Sequence, residues 1–448
     1  MVTFYKPKAP TLNKTALEVE CIDLDLQGRG VAKDKDKIWF INNLLPGEKA
    51  KVIPVSLKGK IGEAKVCKYL STSNLRIKPQ CECSQNCGGC PLDYVEPKAL
   101  LDYKVKGLYK LLSKISKDIK DTPDFVVPSA TENYRRVCRL AVRIDHGKVL
   151  LGFREGKSQK LVTFKECSVL TPRINKAIPE ITEVLNRLEK KKNLGHVEFV
   201  DSDGALGIYI RFTATLNDKD KEILKEFSQT YDYVLSIGEP YQHEVDKKEL
   251  VKESFISDNA SNLFVNAKDC HIVCKPTAFI QINKQVNDDL ISLVLNYLKP
   301  NSSMKILDLF CGIGNFTLPL AKTGAEVFGV DIVSSMINDA KENAKFNNLD
   351  TVNFAVADLE DEFEKQQWAK RQYDAVVLDP GRQGAKMATL FVAKLKVPQI
   401  VMISCNPLAA SRDLAELLKA GYKIKAWGAL DMFPRTAHVE MVTVLSNI

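Results

Sequence analysis

No stretch of this sequence offers the roughly 18 uncharged apolar residues that a membrane-spanning helix needs, so a helical membrane protein is excluded. The opening residues, MVTFYKPKAPTLNKTALEVE, carry lysines but lack the apolar core of a secretory leader, and the expectation is a cytoplasmic protein. Internal repeats and low-complexity segments are missing too, which excludes solenoids and a disordered chain. What is present is ordinary for a globular protein: 45% hydrophobic and 27% charged residues over 448 positions. That length holds several separate cores and roughly three domains.

Charge is nearly balanced overall, 64 Lys/Arg against 56 Asp/Glu, but the first 70 residues hold 13 basic and 8 acidic side chains. A local basic excess favours a polyanionic partner such as nucleic acid; a solvated lysine-rich surface is the plain alternative. The same region reads as short alternating strands with Gly and Pro turns, the pattern of a small barrel of the kind that binds oligonucleotides. A helix is expected over 98–115, packing on the catalytic domain. From about 124 to 268, strand-like runs with one helix predict an α+β region. Beyond 278 the pattern becomes strand, helix, strand, and seven strands are expected: 305–310, 326–330, 352–356, 374–378, 400–404, 423–430 and 438–445. The first five are short apolar runs suited to a covered parallel sheet, and the last two should form an antiparallel hairpin.

The first of these strands runs into DLFCGIGNFTLPLA, which sets Asp308, Gly312, Gly314 and Asn315 at its carboxyl end, before a helix. Glycines there let a ligand approach the backbone at the edge where α/β sheets bind cofactors. The loop is neither G-x-G-x-x-G nor G-x-x-x-x-G-K-[ST], which disfavours a nicotinamide dinucleotide or a nucleoside triphosphate. Asp331 ends the second strand, placed for ribose hydroxyls, and Asp358 follows the third. This pattern resembles class I (Rossmann-like) S-adenosylmethionine methyltransferases, in which the third acid contacts adenine.

The fourth strand delivers LDPGRQGA and the fifth delivers SCNP. Cys405 therefore lies just beyond a strand end, before a Pro that fixes the turn and opens a helix. A cysteine there is a packing residue or a nucleophile. DLFCG-x-GNF, LDP-x-R-x-GA, SCNP and DMFP-x-T-x-HVE together resemble the RNA uracil-5-methyltransferases, over nearly the whole chain. Carried over, the resemblance implies Cys405 as nucleophile and Glu440 as base. It implies Asp379 against the uracil, and Gln281, Phe310, Asn315, Asp331, Asp358 and Asp379 around S-adenosylmethionine. C5 of uracil is a poor nucleophile, so a thiolate must add to C6 before C5 can take the methyl group, and a base must then remove the C5 proton. Gly381 departs from the Pro or Ala usual after Pro380, and an amide also occurs where Asp358 stands. His438 is a possible second proton carrier, although a structural role is the simpler expectation.

Twelve cysteines without a leader read as reduced, metal-binding or catalytic. Four crowd into CECSQNCGGC. Cys83-x3-Cys87-x2-Cys90 has the spacing of radical S-adenosylmethionine enzymes; Cys81-x5-Cys87-x2-Cys90 has that of the family's cluster. The chain already has a separate cofactor fold, so the resemblance implies a [4Fe–4S] cluster on Cys81, Cys87, Cys90 and Cys167, with zinc as the alternative and Cys83 left over. Cys270 and Cys274, flanking His271, are expected to pack.

The expectation is thus a multidomain chain: a TRAM-like, OB-like barrel over 1–70, a central α+β iron–sulfur domain over 71–270, and a methyltransferase domain over 271–448. Its substrate would be 23S ribosomal RNA, since the transfer RNA enzymes of the family typically lack both additions. A transfer RNA enzyme, another uridine of the same RNA, and a non-catalytic ribosome assembly factor are the rivals. No membrane and no obligate protein partner are called for.

Overall fold

A computed structural model describes residues 15–156, 158–242 and 249–447, which gather into two compact units. The first takes in residues up to 79, 90–107 and 435–437; the second takes in 80–89, 108–434 and 438 onward. Residues 1–14 of the expected barrel, and 157 and 243–248 of the expected central region, lie outside the described residues.

Alternation builds the first unit. In Leu17–Leu24, Val19 and Cys21 point inward while Glu18 and Glu20 face solvent. Five such strands close a barrel in the order Leu17–Leu24, Gly30–Asp34, Lys37–Asn42, Ile61–Ser71, Lys49–Lys58. All pairings are antiparallel except Lys37–Asn42 with Ile61–Ser71, and the form is OB-like. Trp39, Ile41, Ala50, Val52 and Ala64 fill the interior. Gly62 is required there, because a Cβ would stand 2.3 Å from the Trp39 ring. Beside this core the fully buried Glu48 accepts from Arg76 Nε and Nη2 at 2.6 and 2.8 Å and from the Leu45 N–H at 2.8 Å. Burial opposes its charge, but these donors prevail and hold its carboxyl below the usual range. A second buried ion pair joins Arg435 to Asp93 at 3.2 Å.

The second unit contains two large sheets. One has seven strands, in the order Glu249–Phe255, Val234–Gln242, Leu206–Phe212, Leu194–Asp201, Val137–Asp145, Lys148–Arg154, Leu161–Val162. Helix Pro172–Arg187 sets Ile174, Ile178, Ile181 and Leu185 into its core. A second helix, Asp218–Tyr231, adds Leu224 and Phe227 and is capped by Asn217, whose side chain accepts the Asp220 N–H at 2.8 Å. The strand-rich reading of this region missed that helix. Its sequence, DKDKEILKEFSQTY, is mostly polar, and its apolar residues Ile223, Leu224, Phe227 and Tyr231 make a narrow stripe at helical spacing that a strand-rich reading passes over.

The other sheet positions the site. Its order is Val352–Val356, Glu326–Asp331, Lys305–Leu309, Ala375–Leu378, Gln399–Ser404, Glu440–Ser446, Lys423–Leu430, Phe125–Val127. Only Glu440–Ser446 runs antiparallel to its neighbours, and it forms the expected pair with Lys423–Leu430. The eighth strand, Phe125–Val127, comes from far upstream and lies parallel to Lys423–Leu430. Strand order reverses between Lys305–Leu309 and Ala375–Leu378, the switch point outside whose carboxyl ends α/β sheets bind ligands. The helix expected over 98–115 spans Pro97–Leu112, and its Tyr109 ring stacks on Trp427 at 6.4 Å.

Candidate active site

The glycine loop leaves the sheet through backbone conformations that few side chains adopt. Phe310 has φ 69°, Gly312 54° and Gly314 104°. A non-glycine residue held at positive φ stores strain, which the N–H groups of Phe310 and Cys311, both donating to Val330 O at 2.8 and 3.0 Å, help to hold. Asp331, 9% exposed, accepts the Gly312 N–H at 3.0 Å on one oxygen and the Val333 N–H at 2.9 Å on the other. Its carboxylate is thereby fixed across the mouth of the loop, with lone pairs left for hydroxyl donors. Asn315 exchanges amide hydrogen bonds with the buried Asn287 at 2.9 and 3.0 Å. Asp358 is exposed after the third strand and accepts the Glu360 N–H at 3.0 Å. Asp308 is fully buried beneath the loop, where burial, Asp379 and Asp331 push its carboxyl up to about 7.

Asp379 and Cys405, just past the next two strand ends, meet Glu440 at the start of the antiparallel Glu440–Ser446. Cys405 is half-buried between Ser404 and Asn406, whose N–H donates to Ser404 Oγ at 3.1 Å. Asn406 caps helix Pro407–Lys419 by accepting the Ala409 N–H at 3.4 Å, and its Nδ2 donates to Arg382 O at 2.7 Å. That bond ties the SCNP turn to the LDPGRQGA loop. The loop is tied in turn to the helix: the Ala385 N–H donates to Asp413 Oδ2 at 2.8 Å, so close that a Cβ on Gly384 (φ 86°) would stand 2.6 Å from that oxygen. Gln281 Nε2 donates to Asp379 Oδ2 at 3.5 Å, which brings the FIQIN segment to the same place.

Burial governs the electrostatics. It pushes the Asp379 carboxyl up to about 7, and with Asp379's charge it pushes Glu440 up to about 8. The Cys405 thiol rises to about 11, through burial and then the charges of Glu440 and Asp379, with Arg382 opposing. A half-buried cysteine, two carboxyls near neutrality and one exposed guanidinium thus stand together beside the glycine loop. Arg382 was missed as a site residue although it lies inside a quoted motif. Asn287 was missed because its partner is 28 positions away. His438 is exposed and lies against Phe433, with rings 5.6 Å apart.

In the cysteine loop, the Asn86 O and Gly88 N–H pair with 154–156 at the end of a central strand, through Gly156 N–H and Arg154 O at 3.2 Å each. Cys87 feels the charges of Cys167, Cys81 and Cys83, so these four thiols of the second unit are neighbours. Cys90 is counted with the first unit. No disulfide joins the cysteines. Thiolates are the donors an iron–sulfur cluster or zinc takes, so the residue types fit. Among the described residues no three such donors are already converged on one point. Cys270 and Cys274 are buried in the core, as expected.

A glycine loop at the switch point and a cysteine with carboxyls on the reaction face define the class, a methyltransferase of the S-adenosylmethionine-dependent α/β kind. The family model of tRNA (uracil-5-)-methyltransferases matches residues 97–448. A 23S rRNA (uracil(1939)-C(5))-methyltransferase RlmD from Tolumonas auensis is 37% identical over 447 residues, covering 98% of each chain. Its counterpart from Histophilus somni is 34% identical over the full length of both. The crystal structure of Pyrococcus abyssi tRNA (uracil-54, C5)-methyltransferase, in complex with S-adenosyl-L-homocysteine, superposes with a TM-score of 0.72 at 25% identity, covering 95% of this chain and 99% of that one. The chain belongs to the tRNA (uracil-5-)-methyltransferase family.

Proposed function

We propose that this chain methylates C5 of a uridine in 23S ribosomal RNA, at the position its relatives' names give as uracil 1939. Cys405, as thiolate, adds to C6, and the resulting enolate carbon C5 attacks the methyl group. S-adenosylmethionine would supply that electrophilic methyl, its sulfonium S–CH3 bond breaking to leave S-adenosylhomocysteine. Glu440 then takes the C5 proton, and the C6–S bond breaks to release the thiolate. The observation that carries this reading is the meeting of Cys405, Asp379, Arg382 and Glu440 beside the glycine loop. A carboxyl held near neutrality suits a general base, since proton transfer is most efficient when the pKa lies close to the working pH. Asp379 would hold the uracil, while Gln281, Phe310, Asn315, Asp331 and Asp358 would surround the cofactor. The target base must be unpaired or flipped out to reach Cys405.

The division of labour follows: the barrel grips RNA, the central region carries the cysteine loop, and 271–448 does the chemistry on a sheet completed by Phe125–Val127. A [4Fe–4S] cluster on Cys81, Cys87, Cys90 and Cys167 is part of this proposal. Protein purified without oxygen should be brown and carry about four irons per chain. Zinc in its place, or retention of iron by Cys81→Ser together with its loss from Cys83→Ser, would overturn that assignment. The function itself is tested by mapping 5-methyluridine in ribosomal and transfer RNA from a deletion strain. Loss at one 23S position, restored by the wild-type chain and not by Cys405→Ala, is expected. Loss from transfer RNA alone would redirect the substrate.

A further inference from the structure

A cleft of about 540 Å³ opens in the second unit, lined by Arg136, Thr171 and Arg173 from the central region and by Lys284 and Asp288 from the helix Lys284–Leu298. Most of its charges are committed. Arg173 pairs with Asp201 at 2.7 Å and Lys284 with Asp203 at 2.5 Å. Arg136 is only 4% exposed, its N–H donates to Ile282 O and its Nε to Gln281 O, each at 2.9 Å. Its Nη1 is buried with no hydrogen-bond partner, and so is Thr171 Oγ1. An orphan guanidinium N–H in a dry wall is costly, and a ligand offering an acceptor would relieve it.

Charge narrows the ligand. Four carboxylates line the cleft, Glu132, Asp201, Asp203 and Asp288, against three cations, so a phosphate is disfavoured. Arg136 in the wall disfavours a metal ion. A neutral group with acceptors on one edge and donors on another suits a lining that holds both Arg136 and Asp288. We propose that this cleft receives an unpaired nucleobase of the RNA substrate, with guanine the preferred base. Guanine presents N7 and O6 to a guanidinium and its N1–H and N2–H groups to a carboxylate, a combination the other three bases lack. The inference rests on the RNA-substrate reading and deepens it. Arg136 also holds the backbone of Gln281, whose side chain reaches Asp379, so an occupied cleft steadies the FIQIN segment against the reaction face.

The test uses the full chain saturated with S-adenosylhomocysteine, so that no probe enters the cofactor site. The 5′-monophosphates of guanosine, adenosine, cytidine, uridine and inosine are titrated by calorimetry. Guanosine monophosphate should bind about tenfold more tightly than the adenosine, cytidine and uridine compounds, and inosine monophosphate, lacking the N2 amine, should lose much of that margin. Asp288→Asn should bring guanosine and inosine monophosphates to equal affinity with S-adenosylhomocysteine binding unchanged. The probe series needs no variant, so misfolding cannot mask the answer. Equal affinity for all five compounds, or no binding at millimolar concentration, overturns the inference. Methyl transfer to 23S RNA is assayed on the same protein. Transfer without guanine preference defeats the cleft alone, whereas guanine preference without transfer upholds a guanine site and overturns the RNA-substrate reading on which its role rests.

Discussion

Burying Glu440 and Asp379 costs the fold stability. Burial raises both carboxyls, so the folded chain holds their protons more tightly than the unfolded chain, whose values lie near 4.5 and 3.8. Their destabilising effect is absent below that range and grows as pH rises toward 7 and 8. Glu440→Gln should therefore raise the unfolding midpoint at pH 9 and leave it unchanged near pH 4. A pH-independent difference would mean that the carboxyl is not held as described. Cys405 makes a companion case. Its thiol stays protonated beside two acids, with Arg382 the cation that opposes them. A bound sulfonium would add a second positive charge. Alkylation of Cys405 by iodoacetamide should be several-fold faster with S-adenosylmethionine than with S-adenosylhomocysteine, which lacks the sulfonium charge, read by mass spectrometry. Equal rates would remove that source of activation. Motif residues such as Cys405 and Glu440 were legible because each loop carrying chemistry is a contiguous stretch of sequence. Arg136 and Asn287 were not, since their bonds run to Gln281, 145 positions on, and to Asn315.

Among the elements, the barrel, the parallel strands and the final hairpin were readable from alternation, apolar runs and turn residues. Phe125–Val127 was not: three residues carry no period, and only pairing with Lys423–Leu430 makes them a strand. The barrel yields two expectations. Lys51 and Lys68 are register partners on the exposed face of its last two strands, with Lys65 opposite Ile53. Replacing all three lysines with Gln should lower the salt dependence of RNA binding by about one log–log unit for each phosphate no longer neutralised, with cofactor affinity unchanged. An unchanged slope would take RNA binding away from this face. Beside the barrel core, Arg76→Met strands the buried Glu48 and should cost about 3–5 kcal/mol in urea unfolding of the full chain. Because Glu48's carboxyl is held low, the pair's contribution is present above the unfolded value near 4.5 and fades as pH falls through the folded one. A cost that persists at low pH would point instead to the packing of Arg76 on the Tyr69 and Tyr94 rings.

At the scale of the whole molecule, the chain joins a barrel unit to a larger unit that carries both the cysteine loop and the reaction face, and the proposed chemistry turns on a covalent bond between protein and RNA. Cys405→Ala lacks the nucleophile, so neither methyl transfer nor an adduct should form. Glu440→Gln keeps the nucleophile and nearly the same shape but cannot accept the C5 proton, so attack and methylation proceed while release stalls. Denaturing electrophoresis of each variant, incubated with a 23S RNA fragment and methyl-labelled S-adenosylmethionine, separates the two roles. A labelled protein–RNA band should survive for Glu440→Gln and be absent for Cys405→Ala. Wild-type turnover by Glu440→Gln, or any adduct with Cys405→Ala, contradicts the covalent mechanism as assigned.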